Sequence, residues 1–372
     1  MEMNEDQRAV AELGREIGTE LLAPAARAAE EAGRVPEKVW KSLLGTGLTV
    51  PVPEELGGSG VGDAATLMVV LEHLAAGDAG ITFAAFCSGA AAMLIARHGE
   101  GKHADTVARL TTDPNARATA ALYEPHGRGA AEFTTTIAVT EDGQVRVKGR
   151  KVGVAFAAEA DPFVVVGTDV TTGGPRAVVV PRDTAGISVQ PYPGMLGLAA
   201  TAAGAVDFDA TVPAKNVLGS VEDSEALCAT IATLRLSVAA IAIGTAQRAV
   251  EYAAEYAAER IAFGKPIAAF QGVSFPLAEA QMRVDAARLE IAEVAAALDG
   301  AESSAAVDVV GGIGRTLSYA TEVAVDATRT AVQTLGGHGY IAEHPVELWY
   351  RSTTALSILD TDPLLSSFRA AL

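Results

Sequence analysis

Apolar residues recur at i, i+3 and i+4 along the first hundred residues, give way to alternation in the middle of the chain, and return to the longer period near residue 224. The longer period predicts amphipathic helices. These are Glu5–Glu31, which Pro24 either kinks or ends, Lys38–Leu43, and two segments rich in small residues, Ala64–Ala76 and Ile81–His98. The Pro/Gly-rich stretch from Pro51 to Gly60 reads as a turn region. In the middle, Thr135–Thr140 and Val145–Lys148 flank Asp142-Gly143 as a hairpin. Asp161–Val166, Arg176–Val180 and Gly204–Asp209 are further strands, with Thr172-Gly173-Gly174-Pro175 as a turn. Residues 224–258, 273–298, 302–335 and 344–369 are four long amphipathic segments with short joins, the second and third broken at Asp299-Gly300. That pattern predicts a four-helix bundle. No internal repeat stands out.

Composition narrows the classes. The net charge of −18 argues against nucleic acid or an anionic membrane as partner, and any anionic ligand must be held by local Arg and Lys. Apolar residues make up 49% of the chain, yet no uninterrupted run of about 18 apolar residues appears, so no membrane span is expected. The acidic start Met1-Glu2-Met3-Asn4-Glu5-Asp6 lacks the form of a signal peptide. Cys87 and Cys228, both in apolar surroundings, read as core thiols and point to a reducing cytoplasm. No His/Cys/Asp cluster suggests a metal.

Two short motifs fall at the ends of bundle helices. One is Arg260-Ile261-Ala262-Phe263-Gly264-Lys265-Pro266-Ile267 with Phe270-Gln271; the other is Gln333-Thr334-Leu335-Gly336-Gly337-His338-Gly339-Tyr340. Helix ends leave backbone N–H groups free, glycine permits close approach, and an arginine can meet a phosphate with two hydrogen bonds. The combination suggests a site for a phosphate-bearing cofactor. It is not a dinucleotide crevice of the G-x-G-x-x-G kind. The plainer alternatives are an ion pair of Arg260 with Glu259 or Glu255, a helix C-cap at the glycines, and a loop polar group at His338.

These residues resemble the acyl-CoA dehydrogenases. The resemblance rests on R-x-x-F-G-K-P-I…F-Q, on Q-x-x-G-G-x-G-Y, and on Pro345 followed by Tyr350-Arg351. It extends to Pro53-Glu54-Glu55-Leu56-Gly57-Gly58-Ser59-Gly60, Leu122-Tyr123-Glu124-Pro125 and Val212-Pro213 through Asn216 to Gly219. The fold it implies is α+β: an N-terminal helical domain (1–115), a middle β-barrel or sandwich domain (116–220) and a C-terminal four-helix bundle (221–372). The function it implies is FAD-dependent α,β-dehydrogenation of an acyl-CoA thioester. A carboxylate removes the α-proton and the β-hydrogen leaves as hydride to the flavin. Electron-transfer flavoprotein or a similar acceptor would follow, in a homotetramer or a heterotetramer with a paralogous subunit.

Carried over residue by residue, the resemblance divides the chain. The usual base lies nine residues after the Arg of the Tyr-Arg pair, which is Asp360 here, one methylene shorter than Glu and followed by Thr361 where glycine is usual. A reach deficit of about 1 Å costs on the order of a hundredfold in rate. The alternative for Asp360 is an exposed polar residue in a terminal loop. A second base position found in some members precedes Arg235 and is Leu234, so Arg235 is the remaining candidate there. The ring-side motifs are altered. Tyr123-Glu124-Pro125-His126-Gly127-Arg128-Gly129 lacks the Thr and Ser of its counterpart. Gly149-Arg150-Lys151-Val152-Gly153-Val154-Ala155-Phe156-Ala157 puts Gly153 at a Trp position and Ala155 at a Thr position. Leu122, Glu124 and Ala155 are therefore the ring-side candidates. The contacts to the adenosine-diphosphate half, Arg260, Phe263, Gln271, Gln333, Gly336 and Gly337, are intact and in the family reach the cofactor of a neighbouring subunit. A catalytically impaired partner subunit, lending these contacts to a paralogue, is the alternative to an active dehydrogenase.

Overall fold

The computed structural model describes residues 3–125, 133–220, 223–300 and 303–360. The helix α1 (Glu5–Ile17) opens with a capping box, in which Asn4 accepts from the backbone of Gln7 and the Gln7 side chain accepts from Asn4. Pro24 does not end this segment. One wide turn, Gly18–Leu22, precedes it, with Ala23 donating to Gly18 five residues back, and the helix continues as α2 (Ala23–Ala32). The wide turn accommodates the ring and the missing N–H of the proline. Next come α3 (Glu37–Gly45), α4 (Ala64–Ala75), α5 (Ala79–His98) and a short α6 (Ala104–Thr112). Asp63 and Asp78 start α4 and α5 by accepting from Thr66 and Ile81.

The middle of the chain forms one eight-stranded sheet, ordered β6–β7–β3–β2–β4–β5–β8, with β1 (Thr119–Ala121) pairing beside β4. The expected hairpin is β2 (Thr136–Val139) and β3 (Gln144–Val154), closed in the register Val139↔Val145. The remaining strands are β4 (Phe163–Asp169), β5 (Pro175–Val180), β6 (Ile187–Pro191), β7 (Gly204–Pro213) and β8 (Val217–Leu218). Along β3 the inward positions Val145, Val147 and Lys151 share one period-two face, which places a lysine in the sheet's buried layer.

The C-terminal part contains α7 (Ser224–Glu259), a two-strand ribbon of β9 (Ile261–Ala262) and β10 (Lys265–Pro266), then α8 (Gln271–Gly300), α9 (Ser303–Leu335) and α10 (Val346–Ser357). Every residue of α7 from Thr230 to Ala246 is buried, so this helix is the axis of the molecule. Asp299, at the expected break, ends α8 and accepts from the free N–H groups of Ala64 and Ala65 at 2.6 and 2.9 Å, tying the bundle to α4. The helix α10 stops at Ser357, before Asp360, and the remainder of the expected run, from 361 to 369, lies outside the described residues. Ala79–His98 and Ser224–Glu259 are long and apolar enough to cross a membrane by length and composition. With 94% and 83% of those windows buried inside the protein, they read as core helices.

Candidate functional site

Asp360 is not an exposed loop residue. It is 2% exposed, just past the end of α10, and its carboxylate meets the guanidinium of Arg235 on α7. Arg235 Nε donates to both carboxylate oxygens at 3.1 Å and Nη2 donates to Oδ2 at 2.7 Å. The structure thus brings the two catalytic candidates together as partners. Tyr123 belongs to the same enclosure. Burial, then the charges of Asp360 and Cys87, raise its phenol well above the ordinary value, against the opposing effect of Arg235.

The ring-side candidates lie in the same interior. Glu124 is filled by its own chain: Oε1 accepts from Lys151 Nζ at 2.8 Å and from the Thr135 N–H at 2.9 Å, while Oε2 accepts from the Thr134 N–H at 2.6 Å. Burial pushes the Glu124 carboxyl up, but the Lys151 ammonium and the hydrogen bonds outweigh it and hold the group at about 2. Lys151, lowered by burial to about 8 against the pull of Glu124, also donates to the Leu122 carbonyl at 2.9 Å and sits 4.5 Å from the Phe133 ring centre. Ala155 is buried and offers no side-chain donor. A Cβ at Gly153 would lie 3.0 Å from Leu359 Cδ2, so Leu359 stands against the spot where the family places a tryptophan. Phe156 adopts φ 52° and meets Trp40 edge-on at 5.4 Å, with Arg117 stacked 3.8 Å over the Trp40 ring. His126 to Gly129 and Thr361 lie outside the described residues.

The diphosphate-side candidates occupy the other end of the bundle. Arg260 and Arg235 are about 25 residues apart on one helix, which is about 37 Å along its axis. The two sets of residues therefore lie toward opposite ends of α7. Arg260, Gln271, Gln333, Gly336 and Gly337 are all exposed, and Phe263 is 95% exposed. Among the described residues Arg260 has no ion-pair partner; Glu255 is taken by Arg248 instead. A groove of about 320 Å³ runs between α8 and α9, lined by Gly272, Val273, Pro276, Arg329, Thr330, Gln333 and Thr334. His338, behind the glycines, is more than a loop polar group: its Nδ1 bonds the Tyr256 hydroxyl at 2.8 Å, and its ring stacks on His344 at 5.3 Å. His344 in turn bonds Tyr252 at 2.7 Å.

FAD is the cofactor the resemblance implies, and the two halves answer differently. The bundle end fits a diphosphate, with an Arg260 that has no ion-pair partner among the described residues, amide side chains and a groove. Among the described residues the ring side fits an isoalloxazine poorly: Glu124 accepts four hydrogen bonds from its own chain, Ala155 lacks a donor and Leu359 stands beside Gly153. Sequence reasoning missed Lys151, Thr134, Arg329, His344 and the two tyrosines. Lys151 had a signal, a charge on the inward face of a strand. Arg235, named from the sequence, is the lone charge between Thr230 and Ala246.

Three models of acyl-CoA dehydrogenase domains match in succession: the N-terminal domain over 4–107, the middle domain over 119–211 and the C-terminal domain over 225–360. The chain is 30% identical to the probable acyl-CoA dehydrogenase YngJ of Bacillus subtilis, covering 96% of this chain and 94% of that one. It is also 30% identical to the caffeyl-CoA reductase-Etf complex subunit CarC of Acetobacterium woodii, over 93% and 90% of the two. The solved butyryl-CoA dehydrogenase of Megasphaera elsdenii superposes with a TM-score of 0.83 at 27% identity, over 99% of this chain and 97% of that one. The protein belongs to the acyl-CoA dehydrogenase family. By family and fold it is an oxidoreductase acting on acyl-CoA.

Proposed function

We propose that this chain works in FAD-dependent α,β-dehydrogenation of an acyl-CoA thioester as one subunit of a heteromeric assembly, closing the diphosphate side of a flavin held by a paralogous subunit. One contrast carries the reading: Asp360 is bound through both oxygens by Arg235, while Arg260, Gln271 and Gln333 stand exposed at the opposite end of α7 and α9. A base must turn a carboxylate oxygen toward the α-proton, and here both oxygens of Asp360 face the guanidinium of Arg235. Electron-transfer flavoprotein is the acceptor in keeping with the name of the CarC relative. Two free thiols fit a cytoplasmic setting.

The test is flavin counted per protomer. The lone chain is expected to carry little flavin, and a complex with the paralogue about one per pair, with Arg260→Ala and Gln333→Ala lowering retention. About one flavin on the lone chain would overturn the reading. It would favour a second one, for which the buried position of Asp360 speaks, in which substrate entry swings Arg235 away and Asp360 serves as base. Asp360→Asn would then abolish turnover of acyl-CoA esters by the lone chain.

A further inference from the structure

The mismatch between ring side and flavin has a local cause at the end of α10. Leu359 Cδ2 lies 3.0 Å from where a Gly153 Cβ would stand, and Gly153 has φ 60°, so any side chain there would be strained and would press on Leu359. One residue on, Asp360 closes on Arg235 with three hydrogen bonds, both side chains buried. Arg235 is the lone charge in the stretch Thr230–Ala246, and a charge in such an interior must be paired. Whatever neutralises it is therefore fixed to α7.

We propose that Leu359 and Asp360 are a plug and its latch: Leu359 fills the ring-side space over Gly153, and the Arg235–Asp360 pair fastens it there. The proposal rests on the partner-subunit reading and adds the device that keeps this chain's own site shut. The altered positions then act together. A glycine at 153 makes room for the leucine, and an aspartate at 360 reaches the arginine rather than a substrate. Tyr123 is buried within the electrostatic reach of both members of the pair.

The test uses the full chain alone and lumiflavin, the ring without ribityl or diphosphate, so that the bundle end does not contribute. The variant Leu359→Gly/Arg235→Met/Asp360→Ala removes plug and latch while leaving the interior neutral. It is expected to bind lumiflavin at least tenfold more tightly than the wild type, read by fluorescence quenching. A second measurement guards against misfolding. In Arg235→Met/Asp360→Ala, judged folded by circular dichroism, amide exchange over residues 353–360 is expected to rise at least tenfold relative to α9. Unchanged lumiflavin affinity in the folded triple variant, or unchanged exchange in the double, overturns the latch. Failure of the partner reading shows elsewhere, as flavin retained by the complex despite Arg260→Ala and Gln333→Ala.

Discussion

Lys151 and Glu124 meet at 2.8 Å with both side chains wholly enclosed, one from β3 and the other from the turn after β1. Removing one partner leaves a buried charge, which costs about 3–5 kcal/mol. Lys151→Met is therefore expected to destabilise by that amount in urea unfolding, and Lys151→Met/Glu124→Leu to recover most of it. The pH dependence has a definite sign. Glu124 is held at about 2 against an ordinary 4.5, so its contribution is present above 4.5 and lost as pH falls through 2. The wild type should lose about 3 kcal/mol across that window relative to the double variant.

Asp78 shifts the other way. Burial raises its carboxyl to about 6 from 3.8, with Glu30 adding and the Ile81 and Gly80 amides opposing. A raised acid means the folded state holds more protons between those values, so this group lowers stability as pH rises from 3.8 to 6. Asp78→Asn keeps an acceptor for the Ile81 N–H, bonded at 2.7 Å, without the buried charge. The variant should be more stable than the wild type at pH 7 by up to about 3 kcal/mol, and the two should converge below pH 4. A variant less stable at pH 7 would show that the cap needs the charge.

The order helices, sheet, bundle was legible because periodicity is local: each helix and hairpin carries its own repeat. That Arg260, Gln271 and Gln333 sit at helix ends was legible for the same reason, since their motifs are short and local. Asp360 was not. Its burial depends on Arg235, 125 positions away in sequence, and no local pattern announces that pair. The strands β1 and β8, of three and two residues, are too short to show a period.

Tyr256 holds the loop that carries Gly336 and Gly337 through His338, and the stacked His344 is held in turn by Tyr252. Tyr256→Phe deletes one exposed hydrogen bond, so the lone chain should lose less than about 1 kcal/mol of stability. Its effect should appear in the assembly instead. With the loop freer, flavin dissociation from the proposed heteromeric complex is expected to quicken about three- to tenfold, since ordering it on binding costs about 0.5–1.5 kcal/mol. Equal dissociation rates would separate this cluster from cofactor binding.

The packing of α7 on α4 leaves no room for a methyl group. A Cβ on Gly244 would stand 2.0 Å from the carbonyl oxygen of Glu72, and backbone cannot yield as a flexible side chain does. Gly244→Ala is therefore expected to force the two helices apart and to destabilise by about 3 kcal/mol, despite the better helix propensity of alanine. The same shift would disturb Arg288, which bonds Glu72 at 2.6 Å and joins α8 to this contact. The check is thermal unfolding of Gly244→Ala beside Gly45→Ala, where nothing lies within 4 Å of the added Cβ. A lower melting temperature for the first alone identifies helix contact as the cause; an equal response in both would leave the close approach without energetic weight.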